Sequence, residues 1–229
     1  MRRRTIYNPH NTLLLAVLLL ILLVVGGLVL VGALSLAFLD VGLSPTATAL
    51  ILLGTFVGGF INIPLLRLES TMPIVREEFV RFFGIMYRVP EVEYEETSTL
   101  VAINVGGALI PSFVSTYLLW RLPSSALWSL VGVAVVALVT HIVARPVNGV
   151  GIVTPVLISP LAAVLMAYIL PSGAPRVVAY VSGVLGTLIG ADLSNLNDIP
   201  SLGAPVASIG GAGTFDGVFL SGIIAVLLA

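Results

Sequence analysis

Between Thr12 and Leu39 the chain runs for 28 residues without a charged side chain. About 20 apolar residues in a helix already span the ~30 Å hydrocarbon core of a bilayer. The run is also too long for a secretory signal, whose apolar region has about 7–15 residues. It is therefore expected to be a retained membrane helix, tilted or bent near Gly26-Gly27. The rest of the chain repeats the theme. Hydrophobic segments lie at 12–39, 46–66, 99–120, 126–144, 150–170, 176–193 and 206–228. Charged residues make up 9% of the chain, against about 25% in ordinary soluble domains. The composition thus excludes a conventional soluble fold. It predicts an all-α polytopic membrane protein of about seven transmembrane segments, one domain over residues 1–229, with several segments broken by Gly or Pro.

Charge placement supplies an orientation. With the N-terminus in the cytoplasm and seven spans threaded, Arg2, Arg3, Arg4, Arg67, Arg76, Arg81, Arg88 and Arg145 fall inside, and Arg121 and Arg176 outside. Short loops rich in Arg face the cytoplasm, so a multi-pass protein of the cell membrane with a cytoplasmic N-terminus is expected. The net charge of −1 gives no reason to expect a nucleic-acid partner. The lipid bilayer is the expected partner, together with a membrane-protein or peptide substrate; the oligomeric state is left open. No Cys is present, so thiolate metal sites and disulfides are excluded, and no metal or cofactor is expected.

Residues 67–98 form the one sizeable polar insertion, between spans two and three. Val75, Phe79, Phe82, Phe83 and Met86 follow a helical spacing, with Arg76, Glu77, Glu78 and Arg81 on the other face. This predicts a small amphipathic helix on the cytoplasmic interface. The following "VEYEETSTL" partly alternates, which suggests a short strand or hairpin; a plain solvated loop is the competing reading. "VGGFINIPL" (57–65), "VGGALIPSF" (105–113) and "SIGGAGTFDG" (208–217) share a Gly pair. Such pairs are common in membrane helices, and the match is read as chance.

The stretch 190–217 holds three of the chain's four Asp residues. Ionisable groups within a span cost roughly 2.5–3.5 kcal/mol on insertion scales, so Asp192 and Asp216 are the candidate catalytic residues. Asp198 reads as a water-facing loop or cap residue. Arg145, His141, Asn104 and Asn62 are candidate binding or supporting groups. Gly190, Gly213 and Gly217 would remove bulk beside the carboxylates. Counting span seven from residue 206 places Asp216 eight to ten residues inside it, opposite the end of span six. Two facing carboxylates share a proton. Such a pair fits aspartyl hydrolysis or proton-coupled transport of a small solute, while a non-catalytic scaffold needs only a cap and an ion pair with Arg145.

"NIPL" (62–65), "VREE" (75–78), "NVGGALIP" (104–111), "ARPVNGVGI" (144–152), "GADLSNL" (190–196) and "GAPVASIGGAGTFDGVFLSGI" (203–223) together resemble the prokaryotic membrane family named domain of unknown function 1614. That resemblance carries no assigned activity. Asp192 and Asp216 also resemble, in placement, the two carboxylates of presenilin-type and signal-peptide-peptidase-type intramembrane aspartyl proteases. Those lie on spans six and seven with the same topology, which implies an intramembrane peptidase. The chain departs from that pattern at Phe215, where a Gly is expected, and at Ala191, where a Tyr is expected. It also lacks the downstream Pro-Ala-Leu segment.

Overall fold

The computed structural model describes residues 9–83, 85–147, 151–211 and 217–229. Helix α1 (Pro9–Asp40) is apolar on every side. Helix α2 (Pro45–Gly58) starts at Ser44, whose hydroxyl accepts the Ala47 N–H, with Pro45 preset in the first turn. Strands β1 (Asn62–Phe82) and β2 (Ile85–Asn104) pair antiparallel along their whole length. A π-helical turn at Val105–Leu109 leads into α3 (Ile110–Arg121). Pro123 permits no continuation of α3 and opens α4 (Pro123–Val143), which returns alongside. A small ladder of β3 (Arg145–Val147) and β4 (Gly151–Val153) joins α4 to α5 (Ile158–Ile169). Helix α6 (Pro175–Thr187) runs on through a π-helical turn (Leu188–Asp192) and a 3-10 helix (Leu193–Leu202), which ends at left-handed Gly203. Strand β5 (Val206–Ile209) pairs parallel with β2, and α7 (Gly217–Leu228) closes the described chain.

Helix α6 is the hub. Its neighbours approach through residues too small to separate backbones. Gly132 of α4 lies where an added Cβ would be 3.0 Å from Ser182 Cβ, and one on Gly183 would be 3.0 Å from the Ser221 carbonyl of α7. Thr187 Oγ1 donates to Ser221 Oγ at 3.0 Å. Such close approach substitutes for the hydrophobic drive that helices lack in lipid. The core gathers around Tyr180, Val181, Val184, Val218, Phe219 and Ile223. Helix α1 joins it only near its C-terminal end: Phe38 packs edge-on to Tyr180 at 5.6 Å, and Asp40 pairs with Arg176 at 3.3 Å.

Two expectations are corrected. The chain is helix-rich but not all-α, and the polar insertion is not a small amphipathic helix. It is the distal part of a hairpin running from Asn62 to Asn104. Arg76 pairs across the strands with Glu93 at 3.1 Å, Arg88 pairs with Glu77 at 3.2 Å, and Arg88 also lies over the Phe79 ring. Residues four apart share a face in a strand as well as in a helix, so the spacing of Val75 and Phe79 fitted both. Pro73 and Pro90 tipped the balance, because neither supports a helix interior. Phe79 is exposed, as is Glu78, and its ring is covered only by the Arg88 guanidinium among the described contacts. Of the seven expected spans, the helices Pro45–Gly58, Ile158–Ile169 and Gly217–Leu228 are apolar but shorter than a full crossing. Among the described residues three helical stretches are long and apolar enough to cross a membrane: Leu13–Asp40, Pro123–Val143 and Pro175–Pro200. Expected segments 46–66, 99–120, 150–170 and 206–228 are each part helix, part strand or turn.

Candidate functional site

At the end of the bundle where α2 stops and α3 and α7 start, three Gly pairs meet. Gly58 would place a Cβ 2.9 Å from the Gly106 nitrogen. Gly106 would drive one into the Thr55 carbonyl and the Gly59 nitrogen. Gly210, at φ +77°, would bring one within 2.7 Å of the Ala108 nitrogen. Backbone lies against backbone here, so side-chain bulk is excluded sterically and Gly210 is also favoured conformationally. The Gly pairs within 57–65, 105–113 and 208–217 thus meet one another in the fold.

Backbone turned out of regular helix needs partners, and the sequence supplies amides. Asn104 is fully buried. Its Oδ1 accepts the Gly107 N–H at 2.7 Å, and its Nδ2 donates to the Gly59 carbonyl at 2.8 Å and to Asn62 Oδ1 at 3.1 Å. Ser208 Oγ reaches Asn62 Oδ1 at 2.6 Å. One hydrogen-bonded chain thus links α2, β1, β2 and β5. Asn104 and Asn62 act as structural organisers of the node.

Asp192 ends the π-helical turn. Its Oδ2 accepts the Gly210 N–H at 2.7 Å, and the residue is half-buried. Behind it Gly190 packs directly on the Ala137 carbonyl of α4, an approach no side chain would allow. The carbonyls released by the turn find partners: Ser194 Oγ donates to Ile189, and Asn195 Nδ2 to Gly190 and Ala191. π-helical turns of this kind gather at functional sites.

The node joins Asp192, Asn104, Asn62 and Gly190. Gly213 and Asp216 lie outside the described residues. Gly217 is the first residue of α7, with open space where a Cβ would stand. Residues 206–211 form a strand and a turn instead of the opening of span seven, so the count of eight to ten helical residues before Asp216 does not hold. His141 and Arg145 are exposed at the end of α4, and among the described residues neither hydrogen-bonds or pairs with Asp192. Asp198 is exposed in the 3-10 helix, as expected. Ser208 and the pairs Gly58-Gly59 and Gly106-Gly107 were missed as site residues; the repeated pairs were the available signal.

A helix-rich chain with three helices fit to cross a membrane among the described residues, joined at one end by glycine pairs around a carboxylate, defines the class. The family model described as "Protein of unknown function (DUF1614)" matches residues 56–228. The chain belongs to that family. The match takes in the node except for α2 before residue 56, and leaves α1 outside. No curated protein matches, and no solved structure matches.

Proposed function

We propose that this is a multi-pass protein of the cytoplasmic membrane in which Asp192 and Asp216 form an aspartyl hydrolytic pair acting on a peptide at the edge of the bilayer. The observation that carries this is the 2.7 Å bond from the Gly210 N–H to Asp192 Oδ2. It ties the end of α6 to the glycine-rich turn that leads on to Asp216. The helix register supports the same reading. Thr187 meets Ser221, and from that contact Asp192 and Gly217 each lie about one turn further toward the same end. The resemblance to intramembrane aspartyl proteases adds weight through these two positions alone.

Two carboxylates about 3 Å apart cannot both ionise, so they hold one proton. The ionised member takes a proton from water as the oxygen attacks the peptide carbonyl. The protonated member gives its proton to the carbonyl oxygen. Return of a proton to the amine releases the two halves. The partial exposure of Asp192 admits the water this needs. For orientation, Arg145 and the hairpin arginines Arg67, Arg76, Arg81 and Arg88 belong to the end of the node, while Arg121 and Arg176 bond at the opposite end with Gly42 and Asp40. That distribution favours a cytoplasmic node and a cytoplasmic N-terminus.

The test is cleavage of single-span peptides by the protein in liposomes. Wild type should cut, and Asp192→Asn and Asp216→Asn should each lower the rate by about 10³-fold or more. Absence of cleavage, with proton-linked solute flux lost in both variants, would reassign the pair to transport. Loss of thermal stability alone in both variants would leave a scaffold.

A further inference from the structure

We infer that the apolar depression at the C-terminal end of α4 binds an anionic phospholipid, its phosphate on Arg145 and Thr154 and the top of one acyl chain along the floor below. The depression measures about 480 Å³, within the roughly 300–1,000 Å³ of small-molecule sites. Ile142 of α4, Val147 of β3, Val153 of β4 and Pro155 form most of its wall. It is therefore apolar with one charged rim residue.

That residue lacks a counter-charge. Arg145 forms no ion pair among the described residues, and no Asp or Glu occurs anywhere between Glu96 and Asp192. A guanidinium is matched by phosphate in shape and charge. Thr154, half-buried on the same rim, offers a hydroxyl with no hydrogen bond among the described residues. Depth selects a lipid over a soluble anion. Helix α4 has 21 residues, about 32 Å at 1.5 Å each, and its outer end is fixed by Pro123. Its last turn therefore falls at headgroup level, where Arg145 meets phosphates and Ile142 and Val153 meet the first methylenes. The β3–β4 ladder serves to hold these two levels together: Arg145 pairs directly with Val153.

The experiment is native mass spectrometry of the full chain in detergent with four probes: dioleoyl phosphatidylglycerol, dioleoyl phosphatidylcholine, glycerol phosphate and inorganic phosphate. Phosphatidylglycerol should be retained about tenfold more strongly than phosphatidylcholine, as one charge-assisted contact warrants. Arg145→Gln should abolish that preference, Arg145→Lys should keep part of it, and Arg121→Gln at the opposite end should leave it unchanged. Val153→Trp, which fills the floor, should weaken both lipids. Arg145 and Val153 are exposed, so folding is not at risk, and circular dichroism confirms it. Equal retention of the two lipids, or an unchanged preference in Arg145→Gln, would overturn the assignment. So would glycerol phosphate or inorganic phosphate competing as well as the lipid, which would mark a soluble-anion site.

Discussion

In α1, Gly26 and Gly27 have no atom within 4 Å of where a Cβ would stand; at the end of the bundle Gly58, Gly106 and Gly210 have no room for one. The dipeptide is the same. What differs is the partner. Helix α1 is apolar all round and its most apolar stretch has no buried residue, whereas about two-thirds of the most apolar stretch of Pro175–Pro200 is buried. A uniformly apolar helix can pack on lipid alone, so its glycines are free to change. The node glycines face chain carbonyls and amides, which cannot move without breaking the hydrogen bonds of Asn104. Hydrophobicity places a segment, and close contact between small residues gives it an address.

That contrast can be broken, the largest effect first. Gly106→Val should cost more than about 3 kcal/mol, because its side chain meets backbone of α2 and cannot relax. Thermal unfolding in detergent should show it, and a folded variant near wild-type stability would refute the close packing. Asn104→Ala should cost about 2–3 kcal/mol, by stranding the Gly107 N–H and the Gly59 carbonyl and removing a helix cap. Gly27→Ala should be neutral or stabilising by up to about 1 kcal/mol, from helix propensity alone; a loss of 2 kcal/mol there would mean α1 has a partner the described packing lacks. Arg76→Ala in the hairpin should change stability by about 0.5 kcal/mol or less, since its pair with Glu93 is solvent-exposed.

The helices were legible where an apolar run is helical through most of its length, as in α1, α4 and α6. They were illegible where an apolar segment is half helix and half strand. In 99–120, Val101, Ala102 and Ile103 sit in β2 and the helix starts beyond Asn104; burial on all sides demands the same residues in either structure. The alternation of "VEYEETSTL" did suggest the strand it forms in β2, but the first arm of the hairpin was read as a helix for a different reason. Its partner strand is supplied by residues up to 42 positions away, Asn62 facing Asn104, while the local spacing matched a helix. Of the site, Asp192, Asn104, Asn62 and Gly190 could be picked out as polar or small residues in apolar context. Their joining could not, because it depends on Gly210 turning back at positive φ onto both Ala108 and Asp192.

The claim on which the proposed chemistry stands is that the residues at 192 and 216 face each other. The chain has no native Cys, so a double variant, Asp192→Cys with Asp216→Cys, can be oxidised mildly in the membrane and scored for an intramolecular disulfide. Thr187→Cys with Ser221→Cys, whose side chains touch at 3.0 Å, serves as the reference pair. A shared site puts the two backbones within about 5–7 Å, the span a disulfide bridges, so both pairs should close at comparable rates. Closure of the reference pair with none at 192 and 216 would contradict the shared site.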